Sequence, residues 1–196
     1  MERQRSFTEY KTIDLIIWAA MMCLFETIIV KAARSWFPNE LYSVSLAAAM
    51  TAIVYMRWGA WGGIHAALIG FVFCLFSGGS GEQYIIYCVG NIFSMLALIL
   101  LFRAGKEKVR TTTWLALLFP VLVQLLMHGG RALTALLLGA SPASVTGFFL
   151  GDSLSYVFTL VIAWIVKRLD GVYEDQKHYL LRLNSEKEKK EVKNES

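Results

Sequence analysis

The residues of this 196-residue chain that could do chemistry are polar side chains set inside otherwise apolar runs. Gln124, His128 and Arg131 recur at helical spacing, with Ala135 next on the same face. Asp152, Ser155 and Tyr156 share a second face, with Phe148 and Phe149 a turn earlier. Tyr84, Tyr87, Cys88 and Asn91 share a third. An arginine, a carboxylate, an imidazole, two amides and several rings together suit a pocket for a small organic molecule. The same residues can instead bond helix to helix, with Arg131 paired to Asp152, and the sequence leaves both readings open. Arg131, Lys31 and Arg34 offer positive charge for a carboxylate or phosphate, and Trp36 adds a ring. An anionic or zwitterionic aromatic ligand is the resulting expectation. Glu26 is expected to pair with Lys31 or Arg131, or to touch ligand, with a structural role the safer reading. His65 and His128 stand singly on different runs, so a metal or haem ligand is the lesser reading for them. No nucleophile elbow, phosphate loop, HExxH or CxxC pattern occurs, so no catalytic residue, metal or cofactor is expected, and the chain lacks an ATP site of its own.

The elements that must hold these side chains are membrane helices. Hydrophobic residues make up 56% of the chain and charged ones 17%, where a soluble domain carries about 25%; mean hydropathy is +0.51. The charges crowd into 1–14, 103–110 and 167–196. The runs between are continuously apolar, which suits helices and not the alternation of a β-barrel. They fall at about 12–34, 41–56, 58–77, 83–102, 113–139 and 145–168, giving an all-α integral membrane protein with a compact bundle of six transmembrane helices. The second run, about 16 residues, is short for a bilayer core of roughly 30 Å. The first is read as a retained helix and not a removed leader. Arg3, Arg5, Lys11, Arg57, the cluster Arg103 to Arg110, and Lys167 and Arg168 lie on one side, while 78–82 and 140–144 carry no Lys or Arg. The positive-inside rule then puts both termini in the cytoplasm, with Lys31 and Arg34 breaking the pattern. The net charge of +4 sits at the ends of apolar runs and implies no nucleic acid. The domain plan is a cytoplasmic start at 1–11, a membrane domain over 12–169, and a charged cytoplasmic tail over 170–196 that continues the sixth helix. Ser77 to Gln83, containing Glu82, is a glycine- and serine-rich linker that reads equally as a mobile lid or as a plain flexible turn. Cys23, Cys74 and Cys88 lie in apolar runs at no metal-site spacing and read as small reduced residues. Ala19, Cys23 and Thr27, and Gly62, Ala66 and Gly70, form stripes of small residues that let helices approach closely.

Leu41-Tyr-Ser-Val-Ser-Leu-Ala-Ala-Ala-Met50 followed by Tyr55-Met-Arg-Trp-Gly-Ala-Trp-Gly-Gly-Ile-His-Ala-Ala-Leu-Ile-Gly70 has a cadence of its own: a short run, a tight glycine turn, then a small-residue run. In this cadence and in its layout over about residues 10–170, the chain resembles the substrate-binding S components of energy-coupling factor (ECF) transporters. The resemblance implies a bacterial plasma-membrane protein that binds a vitamin or related micronutrient tightly from outside. It implies as partners a coupling transmembrane subunit and two ATPases, and a toppling motion that releases substrate inside. The family's alanine stripe for the coupling subunit falls here on Ala19, Cys23 and Thr27, so two of its alanines are replaced. The family's pocket uses the outer ends of the last three spans and nearby loops, which is where Gln124, His128, Arg131, Asp152, Tyr156, Phe149, Asn91, Tyr87, Tyr84, Glu82, Trp36 and Arg34 fall. A stand-alone transporter of the same fold, or a membrane enzyme or sensor built on the polar cluster, is the competing expectation.

Overall fold

The computed structural model describes residues 6–36 and 44–195. Among them there is no strand, and five helical stretches are long and apolar enough to cross a membrane: Phe7–Trp36, Ala47–Ser77, Gly81–Ala104, Thr113–Leu137 and Pro142–Val166. The first is α1. The second contains α2 (Ala47–Trp58) and α3 (Gly62–Ser77), and the third contains α4 (Gly81–Ile92) and α5 (Leu98–Ala104), joined by a 3₁₀ segment. After the short α6 (Lys106–Thr111) comes α7 (Thr113–Leu137). The fifth stretch is broken into α8 (Pro142–Val145), α9 (Gly147–Leu150) and α10 (Ser153–Val166).

The expected runs at 41–56 and 58–77 thus form one helical stretch by length and composition; residues 41–43 lie outside the described residues. That stretch is folded at Gly59, whose φ of 61° ends α2 in backbone that only glycine adopts without strain. Contacts with α1 show the reversal. Along α2, Ser45 lies at Glu26 and Arg57 at Asp14; along α3, His65 lies at Leu15 and the carbonyl of Phe76 at Arg34. The two arms are antiparallel. With 12 residues, α2 is about 18 Å long and reaches only from mid-bundle to one end. That end gathers Arg57, Lys106, Arg110 and Lys167 and is called the basic end below; the other is the pocket end.

Eleven of the 12 residues of α2 are buried, which its apolar composition on every face allows only at the centre of a bundle. Tyr55, Met56, Ile69, Phe119 and Met127 fill the core around it. Large aliphatic side chains such as Ile16, Leu24, Leu75 and Val161 cover the outside, as a lipid-facing surface requires. The helices come together on small residues. A Cβ on Gly130 of α7 would collide with the carbonyl oxygen of Gly90 on α4, and one on Gly70 would lie 2.6 Å from the carbonyl oxygen of Tyr87. The Gly62–Gly70 stripe therefore packs inside this chain.

The tail does not continue α10. Turns over 167–175, with Gly171 at φ 69°, bring the chain back across the basic end before α11 (Gln176–Glu195) begins. Tyr173 is 2% exposed there and donates to the carbonyl of Ala116. Arg57, bonded to Asp14, also donates to the carbonyls of Gly171 and Val172. Lys106 pairs with Asp175 at 2.6 Å, and Glu174 meets both Arg110 and Arg182. The charge segregation that marks the tail as polar gives no hint of this docking.

Candidate functional site

Because α2 and α10 both begin near mid-bundle, the pocket half is walled by α1, α3, α4 and α7 and covered by the α8–α9 segment. A half-length helix starting inside a bundle leaves its first N–H groups without partners. Neighbouring helices supply them here. Glu26 of α1 accepts from the hydroxyl of Ser45 at 2.6 Å and from the N–H of Leu46 at 2.9 Å. Ser155 of α10 accepts from the N–H of Ser45 and donates to Asp152 at 2.6 Å. Glu26 is fully buried and acts as a cap for α2, its two carboxyl oxygens taking the hydroxyl of Ser45 and the N–H of Leu46. The expected pairing of Glu26 with Lys31 or Arg131 is replaced by this cap. Lys31 lies over the ring of Phe76, 5.0 Å from its centre.

The same network runs on through Asp152, which accepts from the ring of His128 at 2.9 Å and lies 3.4 Å from Arg131. A neutral imidazole satisfies both contacts of His128: Nε2–H donates to Asp152, and Nδ1 accepts from the hydroxyl of Tyr156 at 3.0 Å. Arg131 donates to Asn91 at 2.8 Å, and Asn91 in turn donates to the carbonyl of Ala66. The guanidinium lies over the ring of Tyr87, 4.4 Å from its centre. Tyr87 stacks on Phe73 and meets Phe148 edge-on; Phe149 meets His128 edge-on. Charge is balanced at the pair Arg131 and Asp152, both about nine-tenths buried or more.

Against this network lies a cavity of about 220 Å³, lined by Tyr87, Arg131, Ser144, Phe148 and Asp152. That is below the range of sites for drug-sized ligands, roughly 300–1,000 Å³, and leaves room for a smaller molecule. A space of only about 10 Å³, room for about one water, lies beside it, and Arg131 and Asp152 border both.

The structure gathers Gln124, His128, Arg131, Asp152, Tyr156, Phe149, Asn91 and Tyr87 in one region. It places the remaining candidates elsewhere. Arg34 donates to the carbonyl of Phe76 at 3.0 Å, at the end of α3, and Tyr84 packs on Phe71. Glu82 sits exposed in the first turn of α4, and Trp36 is 74% exposed at the end of α1. Ala19, Cys23 and Thr27 are half-buried along one flank of α1. His65 has its two ring nitrogens on the carbonyls of Trp61 and Leu15, a core histidine with both partners inside the bundle. Among the described residues no three histidine, cysteine or acidic side chains come together as metal ligands. Ser45 and Ser155 are site residues that sequence reasoning passed over or underused; a serine just before a short apolar run was the available signal for a capped helix start.

Comparison with protein-family models, with curated proteins and with solved structures gives no match. The site's own geometry is therefore what any functional reading stands on.

Proposed function

We propose that this chain is the substrate-binding S component of an ECF-type transporter. On this reading it crosses a bacterial plasma membrane six times with both ends in the cytoplasm, α2 being the short second crossing. It binds a vitamin or related micronutrient and delivers it with a coupling membrane subunit and two ATPases. The observation that carries the reading is the convergence of Tyr87, Arg131, Phe148 and Asp152, from separate helical segments, on one cavity in the half of the bundle away from the basic end. Such a place, walled by rings and a few fixed polar groups, suits reversible capture of a small organic molecule. The short α2 turned at Gly59 and the half-buried small-residue flank of α1 support the family assignment. The test is co-purification. Expressed with the coupling subunit and ATPases of a bacterial host, the tagged protein brings them down in stoichiometric amounts and carries a small molecule identifiable by mass spectrometry. A tagged protein that recruits none of these subunits and carries no small molecule refutes the reading.

A further inference from the structure

The docked tail and its neighbours neutralise three cations of the basic end. Arg57 is held by Asp14, Lys106 by Asp175, and Arg110 by Glu107 and Glu174. Lys167 and Arg168, at the end of α10, are left over. Neither has an acidic partner among the described residues, and Asp170, two positions on, is bonded to Arg182. Both are nonetheless held in place. Lys167 donates to the hydroxyl of Thr113, the first residue of α7, and so ties the end of α10 to the start of α7. The guanidinium of Arg168 lies over the ring of Trp164, 3.7 Å from its centre. Arg103 and Lys108 are exposed and likewise lack an acid, but among the described residues no ring or hydroxyl holds either side chain.

The surroundings of this pair have two levels. Trp114, next to Thr113, and Trp164 both face outward, 64% and 48% exposed. Tryptophans exposed at the ends of apolar helices mark the level of lipid headgroups. Deeper along the same two helices the exposed side chains are apolar: Leu118 on α7, Val161 and Ile165 on α10. We infer that this rim between α7 and α10 binds an anionic phospholipid, its phosphate at Lys167, Arg168 and Thr113 and its acyl chains along Leu118, Val161 and Ile165. The inference asks only that the bundle sits in lipid and is independent of what the cavity at the other end binds. Charge selects the headgroup. Two cations with no acid between them attract a net negative lipid, whereas a zwitterionic one brings its own ammonium. The apolar level selects lipid over a free anion, because a free phosphate leaves Leu118, Val161 and Ile165 uncovered.

The full-length protein, purified in detergent, is titrated with phosphatidylglycerol and with phosphatidylcholine of the same acyl chains, and bound lipid is counted by native mass spectrometry. Phosphatidylglycerol binds more tightly by about tenfold, a preference that two cations at headgroup level supply. Lys167→Gln with Arg168→Gln removes most of that preference. Arg103→Gln with Lys108→Gln, which takes away the same charge from side chains that nothing holds, keeps it. Should the first double variant fold poorly, Arg168→Gln alone, at an exposed side chain, loses part of the preference and Arg168→Lys retains it. Equal affinity for the two lipids overturns the inference. Equal loss in both double variants overturns it as well, because the attraction then belongs to the diffuse field of the basic end. A preference untouched by Arg168→Gln and by the Lys167 and Arg168 pair places the lipid elsewhere. Inorganic phosphate at millimolar concentration displaces none of the bound lipid; displacement gives the cations to a free anion and removes lipid as the occupant.

Discussion

Asp152→Asn isolates the one buried charge pair of the site. The substitution keeps side-chain volume and leaves an oxygen to accept from Ser155, so it opens no cavity. What it removes is the negative partner of Arg131, 3.4 Å away, in residues 5% and 4% exposed; the new amide NH2 faces His128, which keeps both its bonds by taking the other tautomer, Nε2 accepting and Nδ1–H donating to Tyr156. Two unit charges about 4 Å apart interact by about 4 kcal/mol at an effective dielectric constant near 20. Stranding one member of a buried pair costs about 3–5 kcal/mol. Arg131 keeps Asn91 and the face of Tyr87, and a desolvated ring face returns up to about 2 kcal/mol. The expected loss is therefore about 3 kcal/mol. Arg131→Met strands Asp152 instead, but His128 and Ser155 still donate to it, so this variant loses about 2 kcal/mol. With both substitutions no unmatched charge remains, and the double variant is expected to be more stable than Asp152→Asn alone. The assay is reversible unfolding in mixed micelles on SDS titration, followed by tryptophan fluorescence and arranged as a double-mutant cycle. A double variant that loses the sum of the two single losses refutes the argument, because it means that Arg131 and Asp152 do not hold each other.

Gly130→Val drives a branched side chain into the carbonyl of Gly90, and is expected to lower stability by about 3 kcal/mol in the same unfolding assay, whereas Gly129→Ala, with open space around it, stays within about 0.5 kcal/mol. Glu26→Leu leaves Ser45 and the N–H of Leu46 unmet at the start of α2 and costs about 2 kcal/mol; Glu26→Gln keeps one acceptor and costs less than half of that, read as melting temperatures. Burial pushes the Asp175 carboxyl up, but the hydrogen bond and charge of Lys106 outweigh it and hold the group below its ordinary value. A carboxyl depressed in the folded state stabilises above its unfolded pKa and loses that contribution as pH falls through the folded value. Docking of the tail is therefore expected to weaken below about pH 4, seen as faster amide hydrogen exchange in α11, and Lys106→Met shrinks that acid-dependent part.

Much of the helical layout was legible from apolar runs, because lipid imposes a single rule on every crossing. The convergence of Gln124, His128 and Arg131 with Asp152 and Tyr156 was legible too, since polar side chains at helical spacing must face inward. What the runs do not encode is depth. The 41–56 run is short, but only the fold shows α2 stopping at mid-bundle and needing Glu26 and Ser155 as caps. Arg34 and Trp36 belong to the same helix as Glu26, yet they sit at its far end, because pattern along one helix does not say how high its neighbour starts. The docked tail was the least legible part. Its contacts to Arg57 and Ala116 join residues more than a hundred and more than fifty positions apart, and a single buried Tyr173 in a charged stretch leaves only a faint apolar stripe.

The capped start of α2 also bears on how the chain is made. A 12-residue segment that carries Arg57 is a poor candidate for independent entry into a membrane. It enters as one arm of a hairpin with α3, against an α1 already in place that presents Glu26. Its other cap, Ser155 with Asp152, is synthesised about a hundred residues later. During biogenesis the N-terminus of α2 therefore waits half-satisfied until the last stretch arrives. Chains cut short before 152 keep most of their apolar segments, yet they lack the group that finishes the second one, and quality control acting on exposed backbone within the bilayer would meet them there.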